Sequence, residues 1–349
     1  MAENEIRLPD TSKLVVSSSP HYHDSIDVRK VMLLVIVALL PACASGVVIF
    51  GLRALFVLAV CAVSCMAFEA LFTKMMDRPA STRDCSALLT GILLGMNLSV
   101  GTPWWVCVIG ALLAIGIGKM IYGGLGYNPF NPALVGRVGL LIAFPGTMTT
   151  WLKPIPGDFS YGTAASDALT TATPLGLLGM TKAWDPSEVM RAGDHAISYL
   201  DCFWGNVGGC IGETSAFALL IGGIFLIVLR LIRWQVPVCY IGTVTIITGI
   251  THIANPETYA PPMFHILVGG LFIGAFFMAT DMVTSPMSAR GAVIFGVGCG
   301  LVTCVIRLWG SYPEGVSFAI LFMNALTPLI DRYTAGRPFG VARSIEAKA

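Results

Sequence analysis

The residues best suited to chemistry stand in one hydrophilic stretch, Asp167-Ala-Leu-Thr170-Thr171-Ala172-Thr173-Pro174. A covalent attachment point needs a reachable hydroxyl, small neighbours that admit a modifying enzyme, and an extended backbone. Thr171 and Ala172 are small, and Pro174 biases Thr173 away from helical dihedrals. An ordinary Thr-rich loop has the same composition, and chance produces an Asp-x-x-(Ser/Thr)-x-Ala-Thr match in roughly one chain of this length per hundred. The stretch therefore needs support from outside itself. A second segment, Asn128-Pro-Phe-Asn131-Pro132, sets an N-cap residue before a proline at the first helical position. Such a start either offers free amides to a ligand or is simply a capped beginning of a helix. Tyr122, Tyr127 and Phe130 beside it can stack on a flat ring or anchor the chain at a membrane boundary.

Ionisable groups inside apolar runs are expensive and are functional candidates by default. Glu69 and Asp281 are the two candidates for a cation path. Glu69 stands five residues before Lys74, so a snorkelling local ion pair is its plainer reading. Asp281 closes an apolar run, where Ser285 and backbone groups can share a cation or merely satisfy the carboxylate. Arg137, His252 and Asn324 read as satisfied structural groups. Most of the ten cysteines lie in apolar runs and read as small buried hydrophobes. Cys202 and Cys210 lie outside those runs and are a possible pair in an oxidising compartment. No Cys-x-x-Cys occurs, so no metal or iron–sulfur site is expected from this chain alone, and no Gly-rich dinucleotide fingerprint follows a strand pattern.

The elements that must carry these residues are membrane helices. Of 349 residues 55% are hydrophobic and 12% charged, against about a quarter charged in ordinary soluble domains. A net charge of +1, with no dense Lys/Arg tract, excludes nucleic-acid binding. A span of the hydrocarbon core needs about 20 apolar residues, with about 17 tolerated. About ten runs approach that: Val31 to Phe50, Ala54 to Phe72, Ser86 to Val100, Pro103 to Ile121, Pro132 to Met148, Thr214 to Leu229, Val236 to Ile253, Phe264 to Val283, Ala292 to Trp309 and Val316 to Ile330. The third and fifth are short and rich in Gly, Asn and Pro, which predicts partly broken helices covered by protein. The polar first thirty residues precede an apolar run with no convincing cleavage site, so the first helix is expected to be retained.

Basic residues set the orientation. With the N-terminus inside, fifteen fall on cytoplasmic segments, Lys119 among them; five fall outside, and Arg137 lies within a span. The segment 149–213 then faces the extracytoplasmic side, and both termini are cytoplasmic. Weak internal echoes, Leu89-Thr-Gly-Ile-Leu-Leu-Gly95 with Val268-Gly-Gly-Leu-Phe-Ile-Gly274 and Phe130–Arg137 with Met323–Arg332, suggest two halves of five helices each. An odd number per half inverts the second relative to the first, and such interfaces house sites near the midplane. The expected organisation is a cytoplasmic arm over 1–30, a first repeat over 31–148, an outer loop over 149–213, a second repeat over 214–330 and a cytoplasmic tail over 331–349.

These motifs also carry a family resemblance. Asp167 to Thr173 resembles the flavinylation motif read by an exported flavin transferase, which joins FMN phosphate to the last threonine hydroxyl. Together with Ser17-Ser-Ser-Pro-His21, Asn128-Pro-Phe-Asn-Pro132 and Ala279-Thr-Asp-Met-Val-Thr-Ser-Pro286, it is similar to the D subunit family of the Rnf complex, over nearly the whole chain. That family is a sister of the B subunit of the Na⁺-pumping NADH:quinone reductase. The resemblance implies an ion-translocating ferredoxin:NAD⁺ oxidoreductase subunit in a bacterial inner membrane, incomplete as a catalyst alone. It implies covalent FMN on Thr173, and noncovalent riboflavin lined by Asn128 and Asn131. The implied partners are a membrane iron–sulfur pair, the flavin-bearing G subunit and the NAD- and ferredoxin-side subunits, with a flavin transferase acting during maturation. A channel or secondary transporter for a small solute, or a purely structural scaffold, would also suit ten helices in an inverted repeat.

Overall fold

A computed structural model describes residues 27–78, 82–152, 154, 172–181, 183–192, 195–213, 215–310, 312 and 314–335. Asp167, Thr170, Thr171, the 17–21 motif and most of both terminal arms lie outside the described residues. The described chain is helical, apart from a two-residue antiparallel hairpin pairing Arg191–Ala192 with His195–Ala196.

The first half begins with α1 (Val28–Phe50), which Asp27 caps by accepting from the Val28 amide, and α2 (Leu52–Met75). Gly51, at φ +74°, makes the sharp connection between them. After a short 3₁₀ turn over Thr82–Asp84 come α3 (Ser86–Met96) and α4 (Trp104–Leu112), the latter widening into a π-helix over Leu113–Met120. Asn131 then caps α5 (Pro132–Ala143), accepting from the Ala133 amide, with Pro132 at the first helical position, as the Asn-Pro pair predicts. Four short helices follow: α6 (Pro145–Met148), α7 (Pro174–Thr181), α8 (Pro186–Val189) and α9 (Tyr199–Trp204). The second half holds α10 (Ala216–Val228), α11 (Gln235–Ala254), the broken pair α12 (Pro262–Leu267) and α13 (Leu271–Ile273), a π turn over Gly274–Met278, α14 (Ala289–Trp309) and α15 (Val316–Thr334).

Among the described residues four helices, α1, α2, α11 and α14, are long and apolar enough to cross a bilayer by themselves; α3, α4 with its π extension, α5 and α10 are shorter apolar helices. The third and fifth expected spans are short, at 11 and 12 residues. The eighth, expected to be continuous, is interrupted at Val268–Gly270, where Gly269 takes φ +84°.

Small residues bring the helices together, as membrane packing demands. A Cβ on Gly91 would stand 2.5 Å from the Ala62 Cα, so α3 lies on α2 backbone to backbone. Gly222 does the same between α10 and α1, where a Cβ would collide with the Ala38 carbonyl oxygen. Gly296 and Gly300 of α14 lie against the backbone of α11 near Val236 and Tyr240. Aliphatic side chains exposed on the outsides of α1, α2, α10 and α11, Leu40, Val63, Val228 and Ile253 among them, suit lipid.

Candidate functional site

A helix that ends inside a membrane leaves carbonyls that must find protein donors. The end of α3 is covered by the segment 210–213: the Gly212 amide donates to the Met96 carbonyl at 2.7 Å and the Ile211 amide to the Leu98 carbonyl at 3.1 Å. Arg137 of α5 completes the cover, its Nη1 donating to the Asn97 carbonyl and to Asn97 Oδ1, both at 2.8 Å. The break after α12 is covered in the same manner by Arg307 of α14, whose Nη1 donates to the His265 carbonyl at 2.7 Å.

Arg137 also organises the charges of this region. It forms ion pairs with Glu314 and with Glu213, the latter at 3.8 Å, and its Nη1 lies 3.3 Å from Cys210 Sγ. Cys210, Glu213 and Glu314 bring their ligand-type atoms within 4.8 Å of one another. The guanidinium already stands among them as their counter-cation. Arg137, expected to be a satisfied structural group, is satisfied and is also the hub of this cluster. Cys202 and Cys210 are both free thiols.

Thr173 lines a small cavity of about 20 Å³ beside Cys202, Glu213, Gly269 and Glu314. It caps α7: its Oγ1 accepts from the Gly176 amide at 3.0 Å, and its carbonyl accepts from Leu177 N at 2.9 Å. Thr173 is 7% exposed, whereas Ala172 beside it is open to solvent. A Cβ at residue 176 would stand 3.1 Å from Thr173 Oγ1, so glycine leaves room there. A phosphate ester on that oxygen would lie at the helix N-terminus, where amides and the helix dipole favour an anion. The Gly176 amide suits a phosphate-linked group, and Arg137 offsets the two carboxylates, Glu213 and Glu314, that line the same cavity.

The other candidates meet elsewhere. A cavity of about 60 Å³ is lined by Asn128, Asn131 and Asp281, together with Lys119, Ser86 and the rings of Phe276 and Phe277. Asn131 ties α5 to the second half, donating through Nδ2 to the Met278 carbonyl at 3.2 Å. Asn324, in the amide orientation that satisfies its neighbours, accepts from the Asn131 backbone N at 3.2 Å. Asn128 donates to the Phe130 carbonyl at 3.1 Å, but its buried Oδ1 has no partner in the structure. A buried acceptor without a donor costs about 1–3 kcal/mol. An N–H donor seated in the cavity would remove that cost, and the aromatic walls suit a flat apolar ring. Tyr127 is 75% exposed and does not line the cavity, so it is not brought together with the two asparagines. Asp281 Oδ2 accepts from Thr284 Oγ1 at 3.1 Å.

Glu69 is not paired with Lys74. It reaches across to the π-helix and accepts from Lys119 Nζ at 2.6 Å, with both side chains essentially inaccessible, at 0% and 1%. Lys119, assigned from sequence to a cytoplasmic flank, is instead a buried wall residue of the larger cavity. Sequence reasoning missed Lys119, Ser86, Glu213 and Glu314. Their signal was available for Glu213 and Glu314, each a lone acid flanked by glycine at the edge of an apolar run.

The chain matches the NQR2, RnfD, RnfE family over residues 15–340. It is 44% identical over 339 residues to the D subunit of the Na⁺-translocating ferredoxin:NAD⁺ oxidoreductase complex of Acetobacterium woodii, covering 96% of this chain and 98% of that one. It is also 44% identical over 348 residues to the D subunit of the proton-translocating ferredoxin:NAD⁺ oxidoreductase complex of Clostridium ljungdahlii, covering 98% and 100%. The D subunit of an ion-translocating oxidoreductase complex of Escherichia coli is 38% identical over 347 residues, covering 93% and 98%. With a match that spans both helical halves and the segment between them, this chain belongs to the NQR2, RnfD, RnfE family.

Proposed function

We propose that the chain is the D subunit of an ion-translocating ferredoxin:NAD⁺ oxidoreductase and that it holds two flavins, FMN joined covalently to Thr173 and riboflavin in the cavity lined by Asn128 and Asn131. The observation that carries the first assignment is Thr173 itself: the last residue of a flavinylation-like motif, with its hydroxyl oxygen on the Gly176 amide at the start of α7. The second rests on Asn128, whose buried Oδ1 has no hydrogen bond among the described residues, and on Phe276 and Phe277, which line the same cavity. A cavity of about 60 Å³ holds a few waters at about 10–15 Å³ each. Seating a three-ring ligand there requires side chains of α1 and of the Phe276–Phe277 turn to move aside.

In this reading bound flavins supply the one- and two-electron chemistry, and the protein supplies position and charge. Arg137 holds the outer cluster in register with the end of α3, which fixes Glu213 and Glu314 beside Thr173. Thr173 opens to the extracytoplasmic side, the one an exported transferase reaches, and both termini are cytoplasmic. The helices form two inverted five-helix repeats, α1–α5 and α10–α15 with α12 and α13 counted as one broken span. One correspondence supports this: Arg137 and Arg307 each donate to carbonyls at a broken helix end, Asn97 and His265. The other subunits of the complex hold the NAD and ferredoxin sites and the membrane iron–sulfur pair, and the ion that moves is Na⁺ or H⁺.

The test is direct. Protein coexpressed with a flavin transferase, denatured in acid and run on a gel, is expected to fluoresce yellow-green, and Thr173→Ala is expected to be dark. Mass spectrometry of the peptide containing Thr173 should show the added mass of FMN. An unmodified peptide from fully matured complex refutes the covalent assignment and favours the small-solute transporter.

A further inference from the structure

The buried Lys119 belongs to a chain of hydrogen bonds that runs from the inner cavity to the surface. Its Nζ donates to Glu69 Oε1 and to Ser86 Oγ, each at 2.6 Å. Ser86 Oγ in turn donates to Asp84 Oδ1 at 2.6 Å, and Asp84 also accepts from the Ser86 amide at 2.8 Å. Asp84 is half-buried on the 3₁₀ turn between α2 and α3, at the end of the molecule proposed above to be cytoplasmic. Lys119 and Ser86 both line the cavity that Asn128 also lines. An ammonium has three hydrogens. Two are engaged by Glu69 and Ser86, which leaves one uncommitted among the described residues.

Local architecture explains how a lysine comes to stand there. The π-helix over Leu113–Met120 turns Lys119 inward, and π turns recur at functional sites. Gly116 and Gly118 admit Phe72 and Pro132 close on either side, so the lysine has little freedom to leave. The titratable groups around it are Glu69 and Cys65 on α2, Asp84 on the turn, and Asp281 across the cavity. Glu69 balances the ammonium. A lysine needed only for packing could be replaced by an apolar residue, and a buried ion pair seldom adds stability beyond an apolar pair.

We propose that Asp84, Ser86 and Lys119 form a proton relay from the cytoplasmic face into the inner cavity, delivering one proton for each electron that a flavin bound there accepts. The relay rests on the assignment of riboflavin to that cavity. Lys119 gives its third proton to the cavity ligand and becomes a neutral amine. The Ser86 hydroxyl, turned toward Nζ, passes its proton to the amine and takes one that Asp84 relays. Asp84 is then reloaded from water. No net charge is left inside, because each proton that enters matches an electron that arrived. Glu69, hydrogen-bonded to Lys119 Nζ, holds the lysine in place.

The test uses the whole complex. Acid precipitation releases noncovalent flavin, measured by its fluorescence, and stopped-flow absorbance follows flavin reduction at several pH values in water and in deuterium oxide. Ser86→Ala and Asp84→Asn are expected to retain the released flavin while slowing the proton-linked phase about 100-fold, the lower end of what a positioned proton donor contributes. Azide, a small diffusible acid–base pair, should restore the rate in Asp84→Asn, which a structural defect would not allow. Wild-type rates in both variants, or slowing that azide and pH leave untouched, overturn the relay while the flavin assignment stands. Absence of released flavin from the wild-type complex overturns the assignment and the relay together. If Ser86→Ala alone loses the flavin, Asp84→Asn decides.

Discussion

Removing the ammonium from Lys119 should be far more harmful than removing the whole ion pair. In Lys119→Met the Glu69 carboxylate stays where it is, fully buried, with its counter-cation gone and Ser86 Oγ deprived of a donor. Breaking one side of a buried pair costs about 3–5 kcal/mol, while replacing both partners with apolar residues of similar volume is neutral or stabilising by about 1–4 kcal/mol. Lys119→Met is therefore expected to lose about 3–5 kcal/mol, and Glu69→Leu/Lys119→Met to lie within about 1 kcal/mol of wild type. A shift of roughly 2 °C per kcal/mol, the lower end for large domains, turns this into a fall of about 6–10 °C for the single variant. The assay is thermal unfolding in detergent, followed by intrinsic fluorescence and by the fraction still monodisperse on size exclusion. If Lys119→Met melts within about 2 °C of wild type, or the double variant is as unstable as the single, Glu69 and Lys119 are not a sealed pair. The double variant should also lose the proton-linked phase despite its stability, which separates the pair's structural effect from the relay.

Two further outcomes follow from the outer segment. Gly176→Ala should raise helix propensity in α7 by about 0.8–1 kcal/mol yet crowd Thr173 Oγ1 from 3.1 Å; lower flavin fluorescence per molecule with an unchanged or higher melting temperature is expected, and full labelling would refute the crowding. Asp201 and Ser198 form a capping box on α9, and the Ser198 hydroxyl and amide hold the Asp201 carboxyl below the usual carboxylate range. Because the folded value is the lower one, this contribution is present above the unfolded carboxylate value and disappears as pH falls through the folded one. The melting difference between wild type and Asp201→Asn should therefore shrink with acidification below about pH 4 and be constant above about pH 6; a difference independent of pH would contradict the box.

Much of the molecule was legible from local pattern. Apolar run length predicts the membrane helices because the hydrocarbon thickness sets a span, and Asn131-Pro132 predicts the start of α5 because capping is decided within four residues. The shortness of α3 and α5 was readable from their Gly, Asn and Pro content. The break between α12 and α13 was not, since Val268-Gly-Gly270 differs little from glycines that merely allow close packing. Asn128, Asn131 and Asp281 were named individually, and the fold adds that they share one cavity.

Sequence by itself determined what depends on neighbours along the chain: the helical membrane class, the helix caps and the motif that ends on Thr173. Only tertiary structure decided the partners of the buried charges. Glu69 lies five residues from Lys74 and fifty from Lys119, yet it bonds Lys119, because α2 and the π-helix turn both side chains inward while Lys74 stays exposed near the surface. Arg137 likewise meets Glu213 and Glu314 through packing that no spacing announces. Inside a membrane an unpaired charge is costlier than in water, so pairing follows enclosure and not proximity in sequence.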